Sequence, residues 1–340
     1  WAHFTRYLRY ETRCQQIMSA DTLPSSAPAT VDLKAAEAVG PSLTPAQLVW
    51  RRFRRHRMAL LGACGLIVLL VFIVGGSLAI PETKANAVTL TDRLTPPNAQ
   101  YWFGTDNTGR DAFSRIVYGG QISLVIGVLA VVLSVSLGTV IGGTAAYYGG
   151  WVDSLLMRFT EAMLSIPSLF LLIVLGKYLG KDIQTITLFG RTFSGSVGIV
   201  VIVIGATSWM YLARIVRANV LSLRELDYIA AAKALGVSDI RIFFAHLVPN
   251  TFGPIIVSAT LGLAGAIISE AYVSFLGLGV QPPTASWGNM VTQALSSIQK
   301  GAWWLWTFPS LFIVYTILCI NLIGDGLRDA LDPRTAKHLN

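Results

Sequence analysis

Long apolar runs without charge alternate with short polar stretches along most of this chain. The first covers 58–80, 23 residues with no charged residue. At 1.5 Å of rise per residue, a helix of that length crosses a hydrocarbon core of ~30 Å. Runs at 122–148, 153–176, 192–213, 250–276 and 301–324 bring the predicted spans to six. Within 153–176, Arg158 and Glu161 lie three residues apart, where they can pair on one face near a membrane surface, and Pro167 is expected to kink the helix. Gly138 and Gly142 have the spacing that lets two helices approach closely.

The polar island at 221–250, LSLRELDYIAAAKALGVSDIRIFFAHLVPN, reads as a helical hairpin. Asp227 is placed to cap a first helix over Tyr228 to Leu235, and Gly236 to supply the left-handed residue that closes it. Ser238 is placed to cap a second helix through Ile240, Phe243 and Phe244, limited by Pro249. The window AAAKALGVSDIRI also resembles the helix-turn-helix of soluble DNA-binding domains. Membrane-length flanks and the lack of a third helix to complete a soluble core argue against that reading.

Composition agrees with the pattern. Of 340 residues, 53% are hydrophobic and only 13% charged, with a mean hydropathy of +0.58. The expected fold is an all-α integral membrane protein. The net charge of +8 does not call for nucleic acid, because Arg51, Arg52, Arg54, Arg55 and Arg57 stand directly before the first span and act as a topology signal. Counted over the six-span scheme, fourteen Lys and Arg fall on the side of both termini and the hairpin, against eight on the other. This bias places both termini in the cytoplasm. The expected organisation is a mobile N-terminal segment (1–57), a membrane domain (58–326) and a cytoplasmic tail (327–340). Thr44-Pro45 is expected to open a short capped helix before the membrane, with Trp50 at the interface. Met18 would make a natural start, leaving Trp1 to Ile17 as an upstream extension. A cleaved signal peptide fits poorly, since the first apolar run is long and lies far from the N-terminus.

Candidate chemistry is sparse. Cys14, Cys64 and Cys319 have no motif spacing, and His3, His56, His246 and His338 form no ligand pattern, so no metal is expected. Gly176-Lys-Tyr-Leu-Gly-Lys181 lacks phosphate-loop spacing, no other stretch has it, and no nucleophile, base or metal constellation suggests a membrane-embedded enzyme. Glu270 and Asn321 are the candidate polar residues of a transport path. The competing reading of Glu270 is a tie between the fifth span and a neighbouring helix.

Four segments carry a resemblance. The hairpin resembles the EAA loop of bacterial ABC import permeases: Ala230, Ala231 and Ala232 stand at its Glu-Ala-Ala positions, Gly236 at its glycine, and His246, Leu247, Val248 and Pro249 at its Ile-x-Leu-Pro end. Ala230 replaces the acid, His246 the isoleucine and Val248 the leucine. The segment around Asp106, Gly109 and Arg110 matches the GTDxxGRDxxSR pattern of peptide and nickel import permeases, where a capped amphipathic helix on the outer face is expected. SEAYVSFLGLGVQPPTASWGNM, from Ser269, and NLIGDGLRDALDPR, from Asn321, match two further family segments, and Trp287 to Ile298 is expected to form a short outer helix.

The chain thus resembles the C-type permease subunit of a peptide/nickel ABC importer. That resemblance implies six transmembrane helices with a cytoplasmic coupling hairpin in a bacterial cytoplasmic membrane. It implies Tyr228, Ala230, Ala231, Ala232, Gly236, Arg241, His246 and Pro249 as coupling residues. The implied partners are a second homologous permease, two ATPase subunits that hold ATP and Mg, and an external substrate-binding protein, with no cofactor on this chain. A dipeptide, an oligopeptide, glutathione and a chelated metal stay open as cargo. The rival from another class is an ion-coupled secondary transporter, which would place ionisable groups near the bilayer midplane; here charges gather at span ends, and no internal repeat stands out.

Overall fold

The computed structural model describes residues 44–179, 186–188 and 191–332. Expectations for 1–43, Lys181, Arg334 and Lys337 lie outside the described residues. The chain divides into Trp1–Gln47 and Leu48–Asn340. In the first unit, the Gln47 side chain accepts from the Thr44 N–H while Thr44 Oγ accepts from the Gln47 N–H. This reciprocal cap opens helix α1 (Pro45–Phe53), as the Thr-Pro start suggests.

In the second unit, α2 (Arg57–Ala79) is capped by His56, whose Nδ1 accepts from the Ala59 N–H. The outer segment holds α3 (Glu82–Asn86) and a short turn of 3-10 helix. Next come α4 (Ala112–Tyr148), α5 (Gly150–Ser165), α6 (Ser168–Leu179), a two-stranded antiparallel ribbon of β1 (Ile186–Leu188) and β2 (Arg191–Phe193), and α7 (Ser196–Arg224). The hairpin comprises α8 (Asp227–Ala234), α9 (Asp239–Ile242) and α10 (Val248–Asn250). The chain ends with α11 (Phe252–Phe275), α12 (Trp287–Ile298) and α13 (Trp304–Leu331).

Five helices, α2, α4, α7, α11 and α13, are long and apolar enough to cross a membrane; α5 with α6 makes a sixth crossing only as a pair bent by 91°. The expected kink at Pro167 is therefore a right-angle bend of the chain. Pro167 has no N–H and excludes helical geometry at the preceding residue. Ile166 is accordingly extended, at φ −85° and ψ 128°. The expected Arg158–Glu161 pair does not form; Arg217 of α7 instead makes a bidentate bond to Asp153 of α5, both contacts at 2.6 Å.

Three other boundaries differ from the sequence reading. The second span begins ten residues before 122, because Asp111 accepts from the Phe113 and Ser114 N–H groups and nothing interrupts the helix after it. No separate amphipathic helix precedes it. The fourth begins at Ser196 rather than 192, since Arg191–Phe193 pairs as a strand, and it continues past Arg214 to Arg224. The sixth begins at Trp304 rather than 301, after Gly301 turns the chain at φ +74°.

The tightest helix pair is α4 with α7. A Cβ on Gly142 would lie 2.1 Å from the Ala213 carbonyl oxygen, and one on Gly138 would lie 2.9 Å from that of Trp209. The Gly138/Gly142 spacing thus marks a real backbone approach. Arg224, at the end of α7, donates to the Ala146 carbonyl at 2.6 Å and so caps the C-terminus of α4. At the opposite side of the bundle, α13 closes on α2, where a Cβ on Gly326 would lie 2.2 Å from that of Ala59.

Gly142→Val is expected to force α4 off α7 at a cost of about 1–3 kcal/mol, typical of overpacking, and to lower the Tm of the purified protein in detergent. Gly75→Val, at a position with open space around it, is expected to leave Tm close to that of the parent. Equal melting of the two variants would show that the α4–α7 approach does not hold the bundle.

Candidate functional site

Two polar constructions stand out in this apolar bundle, one at each end, with a cavity between helices that connect them. The first is the hairpin. Helix α8 closes with paired bonds from the Gly236 N–H to the Lys233 carbonyl and from the Val237 N–H to the Ala232 carbonyl, the Schellman arrangement. Gly236 has φ +76° and open space around it. Its requirement for glycine is therefore one of backbone angle rather than room.

The caps differ from expectation. Leu226 holds the N-cap position of α8, with Asp227 in the first turn, where its charge favours the helix N-terminus. Ser238 holds the N-cap position of α9, but its side chain makes no capping bond. Pro249 does not limit the second helix. A π-helical turn over Phe243–Leu247 widens the ladder ahead of it, with the Val248 N–H reaching the Phe243 carbonyl. Pro249 then falls in the first turn of α10, where its missing N–H has no partner to lose. After Thr251 the chain enters α11, so the second arm leads almost directly into the fifth span.

The inner side of the hairpin is anchored by Ile229, Ile242 and Leu247, fully buried in one cluster with Val216 and Val220 of α7, Tyr147 of α4 and Ile255 of α11. Tyr147 donates to Asp239 Oδ1 at 2.5 Å, and Lys233 lies 4.9 Å over the Tyr147 ring. The three alanines do not share one face, because consecutive helical residues lie about 100° apart. Ala232 packs inward, whereas Ala230 and Ala231 face out. Their outward neighbours are Ala234, Leu235 (83% exposed), Ile240 (71% exposed), Arg241 and Phe244. Tyr228 and His246 sit with ring centroids 6.4 Å apart, linking the two arms. The face is mostly apolar and has no partner among the described residues.

The second construction surrounds Glu270, which has no exposed surface. Its carboxyl accepts from Ser274 at 2.8 Å, from Ser286 at 2.7 Å and from Ser123 of α4 at 3.1 Å. Ser123 Oγ in turn accepts from the Trp287 N–H, and the Trp287 indole donates to the Ile116 carbonyl at 3.0 Å. Ser286 and Asn289 cap α12 reciprocally, and the Asn289 amide donates to the Val280 and Thr284 carbonyls. Glu270 therefore fastens α4, α11 and α12 together and faces no open path. The tie reading of this residue describes its geometry. Asn321 is half-buried on α13 and belongs to neither construction.

Next to this knot, Asp106 Oδ1 accepts from the Thr108 and Arg110 N–H groups and the Thr108 hydroxyl. Buried Arg115 lies 3.8 Å from Asp106 Oδ2 and donates to Gln293 of α12 at 3.4 Å. Gly109, at φ +79°, lies so close to Thr89 that no side chain fits. The GTDxxGRD segment thus fixes the N-terminal end of α4 against α12.

Between α4, α7 and α11 opens a cavity of about 210 Å³. Ser134, Ser208, Tyr211 and Ser258 supply its polar groups among apolar neighbours, and no charged residue lines it. Neither Glu270 nor Asn321 reaches it. Sequence reasoning missed these hydroxyls, and also Ser123 and Ser286, because serines scattered over four segments carry no local pattern.

Comparison with known proteins agrees with this architecture. Residues 138–337 match the family described as binding-protein-dependent transport system inner membrane component, and residues 44–97 match the N-terminal TM domain of oligopeptide transport permease C. Dipeptide transport system permease protein DppC of Bacillus subtilis (strain 168) is 40% identical over 87% of this chain and 88% of its own length. A putative peptide transport system permease protein of Brucella abortus biovar 1 (strain 9-941) is 42% identical over 86% and 93%. The crystal structure of an amino acid ABC transporter with histidines superposes over 63% of this chain and 92% of that one, with a TM-score of 0.45 and 16% identity. The chain belongs to the family of binding-protein-dependent transport permeases, as a C-type subunit, and is a multi-pass membrane protein.

Removing the Glu270 acceptor is expected to strand three buried hydroxyls at about 1–3 kcal/mol each. Glu270→Ala should melt well below the parent in detergent, with Glu270→Gln between them, since an amide retains one acceptor. If Glu270→Gln melts with the parent while uptake falls, the path role suggested by the sequence replaces the structural one.

Proposed function

We propose that this permease carries peptides inward across a bacterial cytoplasmic membrane as one half of a permease pair, driven by ATP bound with Mg on two separate ATPase subunits. Support for the cargo comes from relatives named for dipeptide and peptide transport, and support for the drive comes from the hairpin. Its outward face of Ala230, Ala231, Leu235, Ile240 and Phe244 leaves apolar side chains unpaired on a polar loop. Such a surface is stable in an assembled protein when a partner groove covers it.

The mechanism follows from how that face is anchored. Ile229, Ile242 and Leu247 are wedged among α4, α7 and α11, so a push on the hairpin cannot be absorbed locally. Leu226 and Glu225 join it to the end of α7, and the π turn with α10 joins it to α11. Closure of the ATPases would move α7 and α11 together, and both line the 210 Å³ cavity. Substrate would arrive from an external binding protein on the opposite side, where the Glu270 knot and the Arg115 contact hold α12 rigid. In this orientation both termini and the hairpin are cytoplasmic, and nucleotide chemistry belongs to the partner subunits.

Gly236→Val should retain membrane insertion and contact with the partner permease, because its surroundings are open. A branched side chain in the left-handed region costs about 1–2 kcal/mol, so the Schellman closure fails and the face loses its shape. Uptake and substrate-stimulated ATP hydrolysis should fall together in the purified complex, whereas Gly236→Asn, which tolerates this region, should preserve both. A Gly236→Val complex with its full stimulated hydrolysis would sink the coupling assignment. Orientation has its own test in a Cys-free background. An impermeant thiol reagent added to intact cells should label Lys300→Cys and leave Ser238→Cys untouched; the reverse pattern inverts the topology.

A further inference from the structure

Many hydroxyls within the spans satisfy themselves. Ser136, Thr160, Thr207, Ser208, Thr260 and Thr316 each donate to the carbonyl four residues earlier on their own helix. This habit suits an environment without water. Ser134 of α4, Tyr211 of α7 and Ser258 of α11 depart from it. Among the described residues their hydroxyls bond to nothing, although carbonyls of preceding turns are available to the two serines, and all three line the same cavity. Thr139, Thr144, Ser269 and Ser310 likewise bond to nothing among the described residues but lie outside that cavity.

We infer that Ser134, Tyr211 and Ser258 form a contact site for the main chain of the transported peptide, a step that rests on the peptide reading above. The occupant follows from what each candidate needs. A lipid chain has no group to bond with these hydroxyls. A helix of the partner permease has its backbone groups bonded internally. An extended peptide brings unpaired N–H and C=O groups every few ångströms along its length. A hydroxyl both donates and accepts, so three of them on three helices can serve either kind of group. The absence of charge in the lining makes the contact indifferent to the sign of the peptide's side chains. Because the three residues sit on three helices, two of which leave the hairpin directly, hairpin movement would change their spacing and so release the peptide.

The test uses the assembled importer in liposomes, with its binding protein and ATPases, and compares uptake of trialanine with that of trialanine methylated at its internal amide nitrogens. The triple variant Ser134→Ala/Tyr211→Phe/Ser258→Ala should lose preference for unmethylated trialanine by roughly fivefold relative to the parent, the effect of one neutral hydrogen bond. The purified variant complex should keep its ATPase subunits and the parent's Tm, which a folding or assembly defect would not allow. In a Cys-free importer, a water-soluble maleimide should label Ser258→Cys, with labelling slowed severalfold during trialanine turnover, and should leave Val132→Cys on the outer surface of α4 unlabelled. An unchanged preference, or Ser258→Cys closed to the maleimide in every nucleotide state, overturns the contact site while the peptide reading stands. A parent importer that takes up no trialanine removes the peptide reading, and this inference with it.

Discussion

A polar group inside a bilayer must be satisfied by the protein itself, and this constraint organises the chain more than any single apolar contact. Lipid tails are as apolar as leucine, so helices here gain little by burying one apolar face against another. What distinguishes the native packing is close backbone approach and polar pairing. Gly142 against the Ala213 carbonyl supplies the first, and the serines around Glu270 supply the second. The same constraint explains why many hydroxyls of the spans fold back on their own helices.

The two polar constructions divide the molecule by mechanical role. At the end away from the hairpin, Glu270, Ser123, Trp287 and Asn289 lock α4, α11 and α12 with bonds whose partners lie up to 171 residues apart. At the hairpin end, the anchoring is chiefly apolar, with Tyr147–Asp239 and Arg224–Ala146 as its polar supports. Apolar contacts are non-directional and tolerate small sliding, whereas a buried hydrogen-bonded knot does not. One end is thus built to hold its geometry and the other to shift.

Much of this was legible in the sequence, for definite reasons. Five spans announced themselves because an uncharged run of membrane length has few alternatives in a folded chain. The hairpin was legible because Gly236 after an alanine-rich helix is a local signal, and the Schellman closure is local too. Boundaries were less legible where a neighbour decides them. The second span was read from 122, yet its helix begins at Ala112 and takes in Arg115, which is buried with Asp106 and Gln293 as partners. Pro167 was visible, but proline chemistry alone does not tell a kink from a 91° turn. Pro249 looked like a stop because the π turn that accommodates it has no sequence signature. The Glu270 carboxyl was conspicuous as an intramembrane charge, while the serines that satisfy it were not, since their meaning exists only after folding.

The placement of the cavity carries the argument one step further. It is lined by α4, α7 and α11, the same three helices whose ends clasp the hairpin cluster. Of these, α4 is held along its length by α7 and at its N-terminal half by the Glu270 knot, while α11 is held near its C-terminal end by that knot and reached at its other end through Thr251 and α10. A displacement of the hairpin therefore acts on α11 as on a lever pivoted near Glu270. Ser258 lies close to the driven end of that lever and Ala266 close to the pivot, only four residues from Glu270, so the cavity must open or close mainly at its hairpin side. A cavity that changes mainly on its hairpin side needs this asymmetry, and it arises here from where the chain puts one buried carboxyl.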